Sequence, residues 1–480
     1  MPIFMNIETI TLLTIFVPII GSLTIPVAGL ISKSFRSVWS VLIALATAIL
    51  PLLLLPFAFN GGQHIFGRPL VMGLDFYLVV DGLSVFMSIV SSFIGMLIVL
   101  YSIGYIAHEE NQSEYYLMVL LFIGSMMGLV YSANLIFMYL FWEITAICSW
   151  RLVGFYRDKI HILRADKTFL VTFGGAVIML FGFIQIYNQT QSFNIMDMRG
   201  TLVPGSAVLL ILFGMFAKSA TVPIQTWLPD AGVAPSTVTA LLHAAVLVKI
   251  GVYAYARIFN YTFAIPEGWQ TVIPILAVIS SLVAAGAATV ENDLKRILAY
   301  STVSQIGYIF LGLSVMEPTA VTGAILYLLM HGLAKAGLFL CAGIIEHNTH
   351  TKDIRQLGGL IKTMPITAIV FIISAFSVIG IPPLGGFFSK FLVILGTVKS
   401  GNLWLAALAL FTAVMTAFYM FRVFNMVFLG EAKIPAKEGT NSMLFVVIVL
   451  AILSLLAGIF IAYPMKLADI ATAQILRLGL

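Results

Sequence analysis

Fourteen apolar runs, most of them about twenty residues long, follow one another along this chain with only short polar breaks between them. A helix needs roughly 20 apolar residues to cross the hydrocarbon of a bilayer. The runs therefore read as membrane spans at 9–31, 37–58, 78–103, 114–131, 134–154, 168–188, 206–228, 235–259, 271–290, 295–315, 320–346, 366–397, 403–428 and 443–463. Charged residues make up 9% of the 480 and hydrophobic ones 61%, against about 25% and 45–50% in soluble domains. No polar stretch is long enough to build a soluble domain, so the expected fold is an all-α polytopic membrane protein of about fourteen transmembrane helices. The first run lacks a charged n-region and a small-residue cleavage site, and is expected to be a retained helix rather than a signal peptide.

Two spans carry too many breakers to be plain helices. The seventh region holds Pro223, Pro229, Gly232 and Pro235, and the twelfth holds Gly380, Pro382, Pro383, Gly385 and Gly386. Proline removes a backbone donor, and in hydrocarbon the freed carbonyls need partners inside the protein or beside water. Paired interruptions point to the transport site of a repeat-built transporter. The breaks lie five spans apart, which predicts two five-helix repeats of inverted orientation, since five is odd. One membrane domain is expected over 1–480, divided as 1–110 (spans 1–3), 111–260 (first repeat, spans 4–8), 261–430 (second repeat, spans 9–13) and 431–480 (span 14). Loops after odd spans hold Lys33, Arg36, Arg157, Lys159, Arg164, Lys167, Lys295, Arg296, Lys352, Arg355, Lys362, Lys433 and Lys437. The other side holds Arg68, Arg199, Arg257, Lys399, Lys466 and Arg477. The positive-inside bias then places both termini outside, in the cytoplasmic (inner) membrane of a prokaryote. The net charge of +5 reflects these loops and implies no nucleic-acid partner.

Against this apolar background Glu143, Lys218, Lys249, Lys335 and Lys390 lie inside spans, with His243 and His331 nearby. A charge at the bilayer centre costs between about 3 and over 10 kcal/mol. One such lysine alone would read as snorkelling from a helix end; five charges in five different helices do not. Glu143, in FMYLFWEITAICSW, must be protonated or paired with a cation. Lys218 lies one turn before the first broken-helix proline and is the expected partner. That pair would be a switch, because withdrawing the lysine raises the proton affinity of the glutamate and returning it lowers that affinity. His243 and Lys249 share span 8 but, six residues apart, are expected to contact different neighbours. His331 and Lys335, spaced i, i+4, share a face of span 11. Lys390 follows the second break. Histidine and desolvated lysine exchange protons near neutral pH and arginine does not, so the row suits proton relay. Hydroxyls at Ser219 and Thr221 near the carboxylate leave sodium open as the ion.

Other residues carry less. Asp81 reads as an N-cap of span 3, Asp230 as a cap or a partner-binding group, and Arg151 as snorkelling toward the basic loop. The Glu291–Asp293–Lys295–Arg296 and Glu346–His347–His350–Lys352–Asp353–Arg355 clusters read as solvated loop ends. Cys148 and Cys341 are buried hydrophobes. No haem, iron–sulfur, P-loop or Ser/His/Asp pattern stands in usable context, so no cofactor, metal or redox centre is expected in this chain.

The stretches WLPDAGVAPSTVTALLHAAVLVKIGVYAYAR, ENDLKRILAYSTVSQIGY, HGLAKAGLFLCAG and IGIPPLGGFFSKF resemble the signatures of the antiporter-like subunits. These subunits are shared by respiratory complex I, Mrp sodium/proton antiporters and membrane-bound nickel–iron hydrogenases. The resemblance spans helices 3 to 13. It implies fourteen helices with broken helices 7 and 12, and an ion path through Glu143, Lys218, His243, Lys249, His331, Lys335 and Lys390, with Lys249 bridging the halves and Lys390 on the exit side. WEITAICSWRLVGFYRD and TAFYMFRVFNMVFLGE resemble the distal, largest complex I subunit, whereas Lys249 and EHNTHTKDIRQLGGL look like the Mrp and hydrogenase branches; Arg151 departs from the pattern. The resemblance implies further membrane subunits as partners, other antiporter-like subunits among them. Three readings follow. The chain is a translocating subunit of a redox-driven complex, a subunit of an Mrp-type secondary antiporter, or a membrane scaffold that moves no ions.

Overall fold

The computed structural model describes residues 6–70 and 75–478. Among them, twelve helices are long and apolar enough to cross a membrane, and two shorter apolar helices, each followed by a break, complete fourteen spans. In chain order these are α1 (Ile7–Ile31), α2 (Lys33–Phe59), α3 (Gly82–Tyr105), α4 (Gln112–Tyr131), α5 (Leu135–Val153), α6 (Lys159–Thr190), α7a (Gly205–Ser219) with α7b (Trp227–Asp230), α8 (Ser236–Thr262), α9 (Glu267–Val290), α10 (Leu294–Ser314) and α11 (Pro318–Thr349). The last are α12a (Pro365–Ile379), α12b (Gly385–Lys399), α13 (Leu403–Phe428) and α14 (Asn441–Ile459). The chain is a multi-pass membrane protein, and the spans read from hydropathy match these helices one for one.

Three local differences have physical causes. Residues 78–80, assigned to the third span, belong instead to a hairpin of β1 (His64–Arg68) and β2 (Phe76–Val80), paired antiparallel from His64 opposite Val80 to Arg68 opposite Phe76. An apolar run rich in aromatic and β-branched residues does not by itself choose between strand and helix; the choice is made by Asp81, whose carboxylate accepts from the Ser84 amide at 2.9 Å and starts α3. Helix α6 begins at Lys159 rather than near 168, because Asp158 caps it through the amides of Ile160 and His161. A final helix, α15 (Ala462–Leu476), follows α14.

The two inverted five-helix repeats are visible in the hydrogen bonds. Asn134 bridges to Asn194 before α5, and Asp293 bridges to Asp353 before α10. The Leu135 amide donates to the Phe193 carbonyl in the first repeat, and Leu294 to Lys352 in the second. α6 and α11 are both 32 residues long and end on left-handed caps, Gln191 and His350. At the first break Ala220 is left-handed and the Thr221 amide returns to Phe216; at the second, Gly380 is left-handed and Ile381 returns to Phe376. These returns satisfy carbonyls that a broken helix would otherwise leave bare in lipid. α8 is buried along its whole apolar window and α10 and α11 along 94% of theirs, so the centre of the bundle lies there.

Candidate functional site

The site is built where the two breaks meet this centre. In α7a, Lys218 stands in the last turn before the chain reverses at Ala220, and it is buried. Its Nζ donates to the Trp142 carbonyl of α5 at 3.0 Å and lies 5.5 Å from the Trp142 ring centroid. Glu143 is the next residue. Both its carboxylate oxygens are buried and, among the described residues, neither has a hydrogen-bond partner. The expected Glu143–Lys218 ion pair is therefore not closed in this conformation. The ammonium has taken the backbone carbonyl next door, within electrostatic reach of the carboxylate. Thr221 Oγ1 and Gln225 Oε1, at the same break, are also buried without partners.

α8 winds as a π-helix over Leu241–Ala245, and Val246 then takes φ −128°, ψ −73°. The expectation from regular spacing that His243 and Lys249 meet different neighbours is corrected here. Both meet α11. The His243 ring stacks on Phe339 at 4.2 Å, and Lys249 Nζ lies over Gly332, where an added methyl group would sit 2.4 Å from it. Lys249 Nζ and both ring nitrogens of His243 are buried without hydrogen-bond partners in the described chain. π-turns of this kind are frequent at functional sites.

α11 continues the row. His331 is buried with both ring nitrogens unpartnered, and Lys335 Nζ, one turn on, donates to the Leu298 carbonyl of α10 at 3.0 Å. On α12b, Lys390 Nζ reaches back across the second break to the Val378 carbonyl at 2.6 Å. It lies 4.7 Å from the Tyr308 ring centroid and 5.8 Å from that of Tyr327. The structure thus gathers six of the seven expected residues in the buried centre and leaves Glu143 half-buried at its edge.

Three of the four lysine amines rest on backbone carbonyls, Lys218 on Trp142, Lys335 on Leu298 and Lys390 on Val378; Lys249 rests on nothing. Carbonyl dipoles hold a cation without the energy of a formal ion pair, so each amine can gain or lose charge without stranding a buried counter-charge.

Several groups escaped the sequence reading. Tyr327 donates to Gln305 at 2.6 Å, and Tyr419 and Ser301 are joined at 2.8 Å, lining the second half with hydroxyls. Aromatics inside apolar runs look like packing residues, and only their neighbours reveal the difference. Arg257, counted as a loop charge, is wholly buried and bonds both oxygens of Asp81 at 2.6 and 2.8 Å; Asp81 is both a cap and an ion-pair partner. Lys295, expected at a solvated loop end, is buried and bonds Glu346 at 2.8 Å. Asp230 receives Arg164, Lys167 and Arg296 at 2.6, 2.7 and 2.8 Å, which ties α7b to both repeats. Burial alone would raise its carboxyl, but the hydrogen bonds from Lys167 and Arg296 and the charge of Arg164 hold it below the usual carboxylate range. Arg151 meets Glu114 in α4, together with Arg157, instead of snorkelling. No cluster of three or more metal-binding side chains occurs among the described residues.

The family described as NADH:quinone oxidoreductase/Mrp antiporter, TM, matches residues 132–416, more than half of the sequence. The chain belongs to this family. A second family, described as the N-terminus of NADH-ubiquinone oxidoreductase (complex I) chain 5, matches residues 71–116. Sodium/proton antiporter subunit A1 of Staphylococcus aureus strain JH9 is 35% identical over 93% of this chain and 61% of its own length; the same subunit of strain Newman is equally similar. The chain therefore spans about three fifths of these curated relatives. Among solved structures, the Mrp complex from Dietzia sp. DQ12-45-1b matches with TM-score 0.89 at 24% identity over 98% of both chains. Respiratory complex I from Thermus thermophilus matches with TM-score 0.85 at 26% identity, over 97% of this chain and 99% of that one. The fold expected from the sequence is the fold of these proteins.

Proposed function

We propose that this chain is an ion-translocating antiporter-like subunit of a redox-driven respiratory or hydrogenase-type membrane complex, with the buried row as its path. The observation that carries the reading is the set of buried lysines and histidines that lean on carbonyl dipoles or on no protein group at all. A buried polar atom without a partner costs about 1–3 kcal/mol. Glu143, His243, Lys249 and His331 in the row, and Thr221, Gln225 and Ser377 at the breaks, hold such atoms, and water is the inexpensive way to satisfy them. Protons then pass between Glu143 and Lys218, along His243, Lys249, His331 and Lys335, and leave by Lys390. Swinging Lys218 between the Trp142 carbonyl and Glu143 gates the charge of the carboxylate. Ser219 and Thr221 keep a sodium ion compatible with the same entrance.

The chain itself is proposed to hold no cofactor, with electrons handled by partner subunits that include further antiporter-like ones. The loop charges, with Arg257 and Lys295 now set aside, still support an inner-membrane location in a prokaryote with both termini outside. A second reading, membership of an Mrp-type sodium/proton antiporter, is favoured by the names of the 35% identical relatives. Neighbouring genes for hydrogenase-like or quinone-reducing subunits would separate the two. Uptake of protons and of sodium into vesicles by the assembled complex tests the path: Glu143→Gln and Lys218→Ala are each expected to abolish it. Undiminished uptake by both would leave the scaffold reading standing.

A further inference from the structure

At one end of the bundle, two arginines flank Tyr261 and a third lies close by. Arg199 lies 4.0 Å from the ring centroid and Arg257 4.9 Å, and Arg477 lines the same pocket as Arg199. Among the described residues Arg257 has a carboxylate, Asp81, and none lies within 4 Å of Arg199 or Arg477. Arg199 is further held by donation to the Gln474 carbonyl at 2.9 Å, while its Nε is buried without a partner.

Gln474 builds the site. Its side chain accepts from the Gly82 amide at 2.8 Å and donates to the Gly61 and Gly62 carbonyls at 3.1 and 3.3 Å. It thereby fixes α15 against the start of α3 and the end of α2. The two arginines open into a pocket of about 380 Å³ bounded by Gly61, Gln63 and Gln474. A second, almost wholly apolar groove of about 290 Å³ lies on the same two elements, lined by Leu55 and Phe59 of α2 and by Tyr463 and Leu467 of α15. Along α15 the groove and the pocket are about 10 Å apart, at 1.5 Å per residue. The pocket lies at the ends of α2 and α15, and the groove extends onto α3 and α11 beside Ile89 and Leu329.

We propose that this corner binds an anionic phospholipid, its phosphate between Arg199 and Arg477 and an acyl chain in the groove beside Phe59 and Leu467. A cationic pocket about 10 Å from an apolar groove is complementary to that molecule at both ends, and basic pockets between spans are a known lipid-recognition chemistry. A free phosphate would use only the pocket.

The test is native mass spectrometry on the complete complex in nanodiscs of phosphatidylglycerol or of phosphatidylcholine, with inorganic phosphate as a separate probe. Phosphatidylglycerol is expected to stay bound to this chain, and phosphatidylcholine not. At the usual contribution of a basic side chain near a membrane surface, Arg199→Gln with Arg477→Gln lowers retention roughly 30-fold. Arg477→Gln alone, at an exposed position that leaves packing intact, gives part of that loss. Leu467→Trp, which fills the groove, weakens phosphatidylglycerol but leaves inorganic phosphate unaffected. Equal retention of both lipids, or retention insensitive to either arginine, overturns the proposal, as it would if a partner subunit covered the pocket. Binding of inorganic phosphate with no retained lipid overturns it in favour of a free-anion site.

Discussion

Helices α5 and α10 start from equivalent caps, Asn134 and Asp293, and from equivalent bridges to the loops after α6 and α11. Counted from those caps, Glu143 of α5 is matched by Thr302 of α10, a threonine that only returns to its own helix through the Leu298 carbonyl. The other charges are as unequal. Lys218 before the first break stands opposite Val378 before the second, and Asp230 after the first break opposite Lys390 after the second. Ala176 of α6 corresponds to Lys335 of α11, and Thr172 to His331. Two repeats with equivalent caps, bridges and left-handed turns thus carry different chemistry. Burial differs in the same sense: 44% of the apolar window of α5 and 39% of that of α6 is buried, against 94% in α10 and α11. The first repeat has the half-buried carboxylate of Glu143 at the edge beside the buried Lys218, and its post-break charge, Asp230, is a latch to three partly exposed cations. The second repeat has cations and hydroxyls in the covered centre. The repeat thus supplies the breaks and the left-handed turns, while individual residues set the charge that each half carries.

The sharpest way to break this comparison is to disturb the centre without touching a charge. Gly332→Ala places a methyl where Lys249 Nζ now lies, and displacing a relay group by an ångström is expected to cut ion uptake on the order of tenfold. Gly174→Ala in α6 of the first repeat, with open space around it, is the matched control and should change nothing. A smaller effect is expected at the latch. Asp230→Asn should lower thermal stability by about 1 kcal/mol, a figure discounted because the three cations are partly exposed. The depressed carboxyl fixes the sign with pH. The stabilisation is fully present above the unfolded carboxylate value near 4 and fades as pH falls through the lower folded value, so wild type and variant should converge in acid. Convergence in alkali instead would contradict the latch. The smallest effect belongs to Tyr327→Phe, which removes one hydrogen bond to Gln305, worth about 1 kcal/mol, and keeps the ring near Lys390. Uptake slowed a few-fold, with Lys390 still required, would agree with a conducting second half.

Much of this was legible in the sequence, because lipid forces hydropathy to declare the spans and because Pro223, Pro382 and Pro383 cannot continue a helix. The lysines were legible for the same reason: lipid makes a charge conspicuous. What stayed hidden depends on who sits opposite whom. Arg257 and Lys295 lie near span ends, where a counted charge looks solvated until Asp81 and Glu346 are found against them. The closed ion pair inferred for Glu143 and Lys218 presumed that a cation seeks the nearest carboxylate, whereas the Trp142 carbonyl of the neighbouring helix α5 takes the ammonium instead. The π-turn at Leu241–Ala245 has no periodic signature, and neither has the contact of both His243 and Lys249 with α11.

The central claim is that the two unlike halves are joined into one path through Lys249. Lys249→Met keeps the length and volume of the side chain and leaves Glu143, Lys218 and Lys390 in place, so the complex should assemble normally. Ion uptake by that assembled complex in vesicles is the direct measurement. Loss to background is the predicted result; transport at the wild-type rate would show that ions cross without passing the centre.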